Sequence, residues 1–144
     1  MSVVVGYTAR PESRAALDRA IDEARIRSLP LHIVRTMGEG LSENPSQSRT
    51  WAAKVAEARE EGEALVERLA ALGVEATFEV EAVTSSPAEH MVDFAQKRGA
   101  ELIVIGIRRR SPVGKLVLGS VSQDVLLRAE CAVLAIKAPK EDSR

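Results

Sequence analysis

The stretch at residues 102–123 reads LIVIGIRRRSPVGKLVLGSVSQ, and it determines how the rest of the chain is interpreted. Its first four residues, 102–105, are all apolar, which favours a central β-strand that is covered on both faces. Gly106 ends this predicted strand, and residues 107–118 are predicted to form a loop. Gly119 then opens a helical pattern, so the stretch predicts a strand, a loop and a helix in that order.

The same alternation of strand and helix continues towards both termini. Valine-rich, apolar or period-two patterns predict four further strands, at residues 2–7, 31–34, 74–82 and 132–136. Three further helices are predicted, which begin at Pro11, at Trp51 and at a capping box over residues 86–89. The segment at residues 37–50 is rich in Gly, Pro, Ser and Asn, and is predicted to be a loop.

This regular alternation predicts the fold class. Strands joined by crossover helices form an open, doubly wound parallel sheet with helices on both faces. The chain has 144 residues, which is a one-domain length. We therefore expect a single α/β domain at residues 1–138, followed by a polar C-terminal tail at residues 139–144.

Composition and charge exclude several classes of protein. The net charge of -1 argues against a general nucleic-acid or anionic-membrane binder, which would be clearly basic. The chain begins without a signal-peptide pattern, and no apolar run approaches the roughly 20 residues of a membrane span. The single cysteine, Cys131, cannot form an internal disulfide, so a reducing, cytoplasmic location is expected.

The position of a candidate site follows from the fold, because open α/β sheets bind ligands beyond the carboxyl ends of their strands. Gly106 would let a flat ligand group approach the backbone, and a helix beginning at Gly119 and Ser120 offers free N–H groups to an anion. Ser120 and Ser122 add hydroxyl groups for phosphate oxygens, and the arginines at 108–110 add positive charge. Two simpler interpretations stay open: Ser120 caps the helix, and the arginines lie in a solvated loop.

The spacing within this segment resembles the ATP motif of the universal stress protein family. That motif places a second glycine three positions after the first, and a glycine with serine or threonine after nine more residues. Gly106, the nine residues 110–118 and the pair Gly119-Ser120 keep this register. The similarity extends through residues 121–126 and 132–134 and to the opening of the chain, so it covers essentially all of the sequence.

The resemblance implies a particular architecture and ligand class. It implies a Rossmann-like, adenine nucleotide alpha hydrolase-like sheet of strand order 3-2-1-4-5, in a homodimer formed through the strand at residues 131–136. Some members of the family bind ATP or AMP, and others bind no nucleotide. Neither nucleic acid nor membrane is expected as a partner, and the only metal expected is magnesium that accompanies a nucleotide.

The resemblance also assigns nucleotide-binding roles by position, and no catalytic residue. Gly6 and Thr8 would lie beneath the base and ribose, and Ile33 would contact the base. Gly106 and Arg109 would border the ribose and phosphates. The phosphate oxygens would be held by Gly119, Ser120, Val121 and Ser122.

Two positions depart from the pattern of the family's ATP binders. Thr8 stands where those proteins usually have an aspartate, and Arg109 replaces the second motif glycine. The Arg109 side chain would either block the phosphates or pair with them, since guanidinium suits phosphate geometry. The resemblance thus implies a nucleotide-binding stress-response regulator without strong catalytic activity. One alternative is a nucleotide-free dimeric interaction module. A slow ATP hydrolase is the least favoured alternative, because no general base stands near the motif.

Overall fold

Five strands and four helices alternate along the chain in a computed structural model that describes residues 1–8, 10–37, 45–82, 86–108 and 118–138. All five strands are parallel and form one sheet of order β3-β2-β1-β4-β5, which confirms the predicted fold class and strand order. The elements are β1 (Ser2–Tyr7), α1 (Pro11–Arg27), β2 (Leu31–Met37), α2 (Pro45–Ala71), β3 (Ala76–Ala82), α3 (Pro87–Lys97), β4 (Ala100–Ile107), α4 (Ser120–Arg128) and β5 (Ala132–Lys137).

Two hydrophobic clusters cover the two faces of the sheet. Because side chains alternate along a strand, Val3 and Val5 of β1 point into one cluster and Val4 points into the other. The first cluster receives Leu17 from α1 and Leu69 from α2, and the second receives its helical residues from α3 and α4. The central strands β1 and β4 are therefore buried on both faces, as the uniformly apolar residues at 102–105 predict.

The helix starts follow from local chemistry. Pro11 occupies the first turn of α1, where the N–H that proline lacks would have no partner within the helix. The Ser86 hydroxyl accepts a hydrogen bond from the Glu89 N–H at 3.3 Å, which confirms Ser86 as the N-cap residue of α3 and the serine half of the predicted capping box. In α4 the extended N-cap residue is Gly119, so the interpretation of Ser120 as a side-chain cap is wrong. Ser120 is instead the first residue of the helix.

Strands β2 and β4 and helix α2 are longer than predicted, and their lengths matter for the site. β2 runs on to Met37 because β3 pairs with it along its whole length, up to Met37 opposite Ala82. β4 continues one residue beyond Gly106. α2 begins at Pro45, so part of the segment predicted as a loop is helical. The rest of that segment, most of the predicted loop at 107–118 and the predicted tail lie outside the described residues.

Candidate functional site

The strand order reverses direction between β1 and β4, so their carboxyl ends flank the switch point of the sheet. β1 connects through α1 to β2 on one side, whereas β4 pairs with β5 on the other. α1 begins four residues after Tyr7, the last residue of β1, and is therefore close to this point. Crossover helices run antiparallel to their strands, so α4 also begins at this edge of the sheet. Two helix N-termini therefore face the region where open α/β sheets bind ligands.

Thr8 is held in the turn that joins β1 to α1. Its N–H donates to the hydroxyl of the buried Ser13 at 2.8 Å, and its own hydroxyl accepts from the Arg10 N–H at 3.4 Å. A threonine hydroxyl also has one proton to donate, and that proton has no partner among the residues described. Thr8 thus offers a ligand one hydrogen-bond donor, where an aspartate would offer two acceptors and a charge.

Gly6 and Gly106 serve packing within the protein. A Cβ at Gly106 would lie 2.6 Å from the carbonyl carbon of Glu12, so the first turn of α1 occupies the space that a side chain would take. A Cβ at Gly6 would meet the end of the Met91 side chain, on the opposite face of the sheet. The sequence-based reason given for Gly106, close approach of a ligand, is therefore incomplete: the close approach in the structure is that of helix α1.

An ion pair links the two sides of the switch point. Arg108, directly after β4, donates from Nε to Oε1 of Glu12 in the first turn of α1, at 3.1 Å. The Glu12 side chain is 15% exposed and that of Arg108 is 39% exposed. Glu12 is not among the predicted site residues, although its place in the first turn after β1 puts it at the same edge as the residue that follows β4.

The N-terminus of α4 supplies the predicted anion-binding group. Gly119 is exposed and extended at the N-cap, and a Cβ there would meet no atom of the described residues within 4 Å. Ser120 and Val121 are exposed and Ser122 is half-buried. The backbone N–H groups of these three residues find no partner within the described ranges, whereas the Gln123 N–H donates to the Gly119 carbonyl at 2.9 Å. The buried Val125 anchors the helix to the sheet. Such an N-terminus carries partial positive charge and free donors for an anion.

The structure does not bring Ile33 to this edge. Ile33 lies in the middle of the extended β2 and is fully buried on the face covered by α1 and α2. Arg35, two residues before the end of β2, lies opposite Tyr7 at the end of β1, with its guanidinium carbon 5.8 Å from the centre of the Tyr7 ring. Tyr7 also meets Phe78 edge to face, with ring centroids 6.4 Å apart. Neither Tyr7 nor Arg35 is among the nine predicted nucleotide-binding residues, although Arg35 directly follows the strand predicted at residues 31–34.

Seven of the nine predicted nucleotide-binding residues therefore lie at the carboxyl edge, in two groups. Gly6, Thr8 and Gly106 sit at or next to the ends of β1 and β4, and the residues from Gly119 to Ser122 begin α4. Arg109 lies outside the described residues. Within the ranges that are described, no three His, Cys, Asp or Glu residues come together as metal ligands, and no helix is long and apolar enough to span a membrane.

Comparison with known proteins assigns the family. The family model described as "Universal stress protein family" matches residues 1–137. A universal stress protein from Mycolicibacterium smegmatis is 37% identical over 136 residues, which are 94% of this chain and 96% of that protein. The structure of a universal stress protein from Archaeoglobus fulgidus is similar at a TM-score of 0.70 and 34% identity, covering 95% of this chain and 98% of that one.

A second Archaeoglobus fulgidus structure, of the universal stress protein in complex with dAMP, has a TM-score of 0.64 and 29% identity. It covers 95% of this chain and 98% of that chain. The family model, the relatives and the strand order agree, and together they show that this chain belongs to the universal stress protein family.

Proposed function

We propose that this protein binds an adenine nucleotide, AMP, dAMP or ATP, at the carboxyl edge of β1 and β4, and acts as a stress-response regulator without strong catalytic activity. The observation that carries the proposal is the likeness, over 95% of the chain, to a relative whose structure is a complex with dAMP. The same fold places two helix N-termini at the switch point between β1 and β4, where a phosphate would be stabilised.

The residues present fit a phosphate group. The first turn of α4 offers N–H donors and the hydroxyl of Ser120 without a competing side-chain cap. Arg108 contributes a cation at the end of β4, and Thr8 contributes a hydroxyl near the end of β1. These groups bind and orient, and we assign no proton-transfer role to any of them. Magnesium would enter with the phosphates of the nucleotide that it accompanies.

Calorimetric titration of the purified protein with dAMP, AMP, ATP and cyclic AMP tests the proposal. We expect Ser120→Ala to weaken binding of dAMP by about tenfold to a hundredfold, since a hydrogen bond to a charged group is lost. Gln123→Ala, on the same turn and outside the proposed site, should leave the affinity unchanged. Lack of binding by the wild-type protein at about millimolar nucleotide would contradict the proposal.

The free edge of β5 supports a second proposal, a homodimer that acts as an interaction module with or without a nucleotide. β5 pairs with β4 along one edge, and no described strand pairs with its other edge. The strand is apolar from Ala132 to Ile136 and is only half-buried over most of its length. An apolar, unpaired edge favours association with another strand, here that of a second copy.

Sedimentation velocity tests this proposal. We expect a dimer, and we expect Ala132→Lys, at an exposed position of β5, to shift the protein towards monomer because an edge lysine opposes strand pairing. Ala82→Lys is the matched control, an exposed alanine at the end of the opposite edge strand β3. A monomeric wild-type protein, or equal effects of the two lysines, would argue against a dimer through β5.

A further inference from the structure

The ion pair between Glu12 and Arg108 joins α1 to the end of β4 at the carboxyl edge of the sheet, where the proposed function places the nucleotide. We propose that Glu12 opposes the binding of phosphate at Arg108, and thereby sets how strongly the site prefers nucleotides over nucleosides. This inference rests on the proposed function and names one determinant of its ligand selectivity. Arg108 is the phosphate-binding residue in this proposal, and Glu12 acts through it.

Glu12 is fixed in place by the packing of α1. Its backbone lies against Gly106, where even a Cβ would be 2.6 Å from the Glu12 carbonyl carbon. Its side chain is largely buried and stays beside the end of β4. The positive end of the α1 dipole also favours a carboxylate in the first helical turn. The negative charge is therefore a fixed feature of the carboxyl edge.

Arg108 has N–H donors that Glu12 does not engage and that a ligand could use. Glu12 engages its Nε, and the two terminal guanidinium nitrogens have no partner among the described residues. Five N–H groups in a planar fork allow an arginine to bind a phosphate in a bidentate manner. A phosphate on those nitrogens would share the guanidinium with the Glu12 carboxylate and would be repelled by its charge. Replacing that carboxylate with a neutral amide should therefore favour phosphate binding.

The same helix and strand provide a matched control at the other end of the sheet. Arg27, in the last turn of α1, donates to Glu101, near the start of β4, at 2.6 Å. The side chains are 37% and 30% exposed, so this pair is at least as solvated as the first. Glu101→Gln makes the same change of charge as Glu12→Gln and also breaks an ion pair between α1 and β4. It does so away from the carboxyl edge.

The experiment measures the affinities of dAMP and deoxyadenosine for the wild type, Glu12→Gln and Glu101→Gln. We expect Glu12→Gln to bind dAMP about threefold to tenfold more tightly, which is the range of a partly exposed charge interaction. Its affinity for deoxyadenosine should not change, because that ligand has no phosphate. Glu101→Gln should match the wild type for both ligands.

Arg108→Gln completes a double-mutant cycle. Alone it should weaken binding of dAMP, and in its presence the gain from Glu12→Gln should vanish, because the two effects share one guanidinium. A dAMP affinity that Glu12→Gln leaves unchanged or lowers would overturn the inference. So would an equal gain for deoxyadenosine, or a gain that persists in the Arg108→Gln background.

The two proposals fail in different ways. If wild type and Glu12→Gln both bind no dAMP, the proposed function is wrong and this inference falls with it. If the wild type binds dAMP and Glu12→Gln binds it equally well, only the role of Glu12 is wrong. If the wild type binds none and Glu12→Gln binds dAMP, Glu12 is the residue that excludes the phosphate, which supports the inference.

Discussion

The two ends of the sheet are built from similar interactions but differ in what they can do. At the amino end, the buried Ser2 donates to the Arg98 carbonyl at 3.0 Å, and Arg27 pairs with Glu101. At the carboxyl end, the buried Ser13 accepts from the Thr8 N–H, and Arg108 pairs with Glu12. Each end thus has one serine hydrogen bond and one ion pair that tie neighbouring elements together.

The difference lies in the helix termini that face each end. α1 and α4 begin at the carboxyl end, so their first-turn N–H groups concentrate positive potential there. α1 ends at the amino end, and the N–H of its αL C-cap residue, Ser28, donates to carbonyls of the last turn. An ion pair at the amino end therefore only holds the fold, whereas one at the carboxyl end also sets the charge that an anion meets.

The largest effect on this comparison should come from Gly106, where α1 lies against β4. Gly106→Ala places a Cβ against the Glu12 backbone, which cannot rotate away, so we expect a loss of about 1–3 kcal/mol in the free energy of unfolding. Gly119→Ala should cost at most about 1 kcal/mol, because no described residue lies within 4 Å of the added Cβ and the extended backbone suits alanine. Urea denaturation of both variants measures the difference, and equal losses would contradict the packing role of Gly106.

The second largest effect should be a difference in stability between variants of the two buried serines, Ser13 and Ser2. Ser13→Ala leaves the Thr8 N–H without its acceptor, which should cost about 1–3 kcal/mol in unfolding free energy. Ser2→Ala removes a donor to a carbonyl oxygen, and an unpaired carbonyl is tolerated better than an unpaired N–H, so about 0.5–1.5 kcal/mol is expected. Thermal and urea unfolding compare the two variants. A larger loss for Ser2→Ala would show that the amino end is the more tightly held.

The fold could be predicted from the sequence because its signals are local and repeated. The apolar residues at 102–105 indicate a covered strand, and the proline and capping-box starts of α1 and α3 mark helix boundaries that the structure confirms. Each strand-helix unit carries its own pattern, and the alternation of units leaves few topologies. Strand lengths were less predictable, since β2 reaches Met37 through its pairing with β3.

The candidate site could be predicted only in part, because it depends on contacts between segments distant in sequence. The glycine and serines that begin α4 form a contiguous motif and could be recognised directly. The pairing of Glu12 with Arg108 joins residues 96 positions apart, and nothing in either local pattern indicates it. Ile33 was assigned to the site from the family resemblance alone, and the structure places it in the middle of β2, fully buried.

The two ion pairs should be nearly equal in stability and unequal in function. We expect Glu12→Gln and Glu101→Gln each to lower the free energy of unfolding by about 0–1 kcal/mol, since both pairs are partly solvated. Both losses should shrink at high salt, which screens exposed charges. Denaturation at low and high salt tests this expectation. A markedly larger loss for Glu12→Gln would mean that its pair mainly holds the fold, as the amino-end pair does.

The smallest effect should come from His32, near the amino end of β2, and it concerns pH. Burial lowers the pKa of His32 below its ordinary value of 6.5, and the charge of Arg98 lowers it further, against the opposing charges of Glu79 and Glu75. The ring is held by a 2.7 Å hydrogen bond between Nδ1 and the Thr77 hydroxyl. The unfolded chain therefore binds a proton at this residue at a higher pH than the folded protein does.

The sign of the effect follows from that difference in proton binding. The contribution of His32 to stability is complete above pH 6.5, and it is lost as the pH falls from 6.5 towards the lower pKa of the folded state. We expect the wild type to lose more stability than His32→Gln between about pH 8 and pH 5.5 in urea denaturation. Other titrating groups act equally on both proteins and cancel in the comparison. Parallel pH profiles would show that His32 titrates alike in the folded and unfolded chain, and that this polar contact of the amino end is more solvated than its burial indicates.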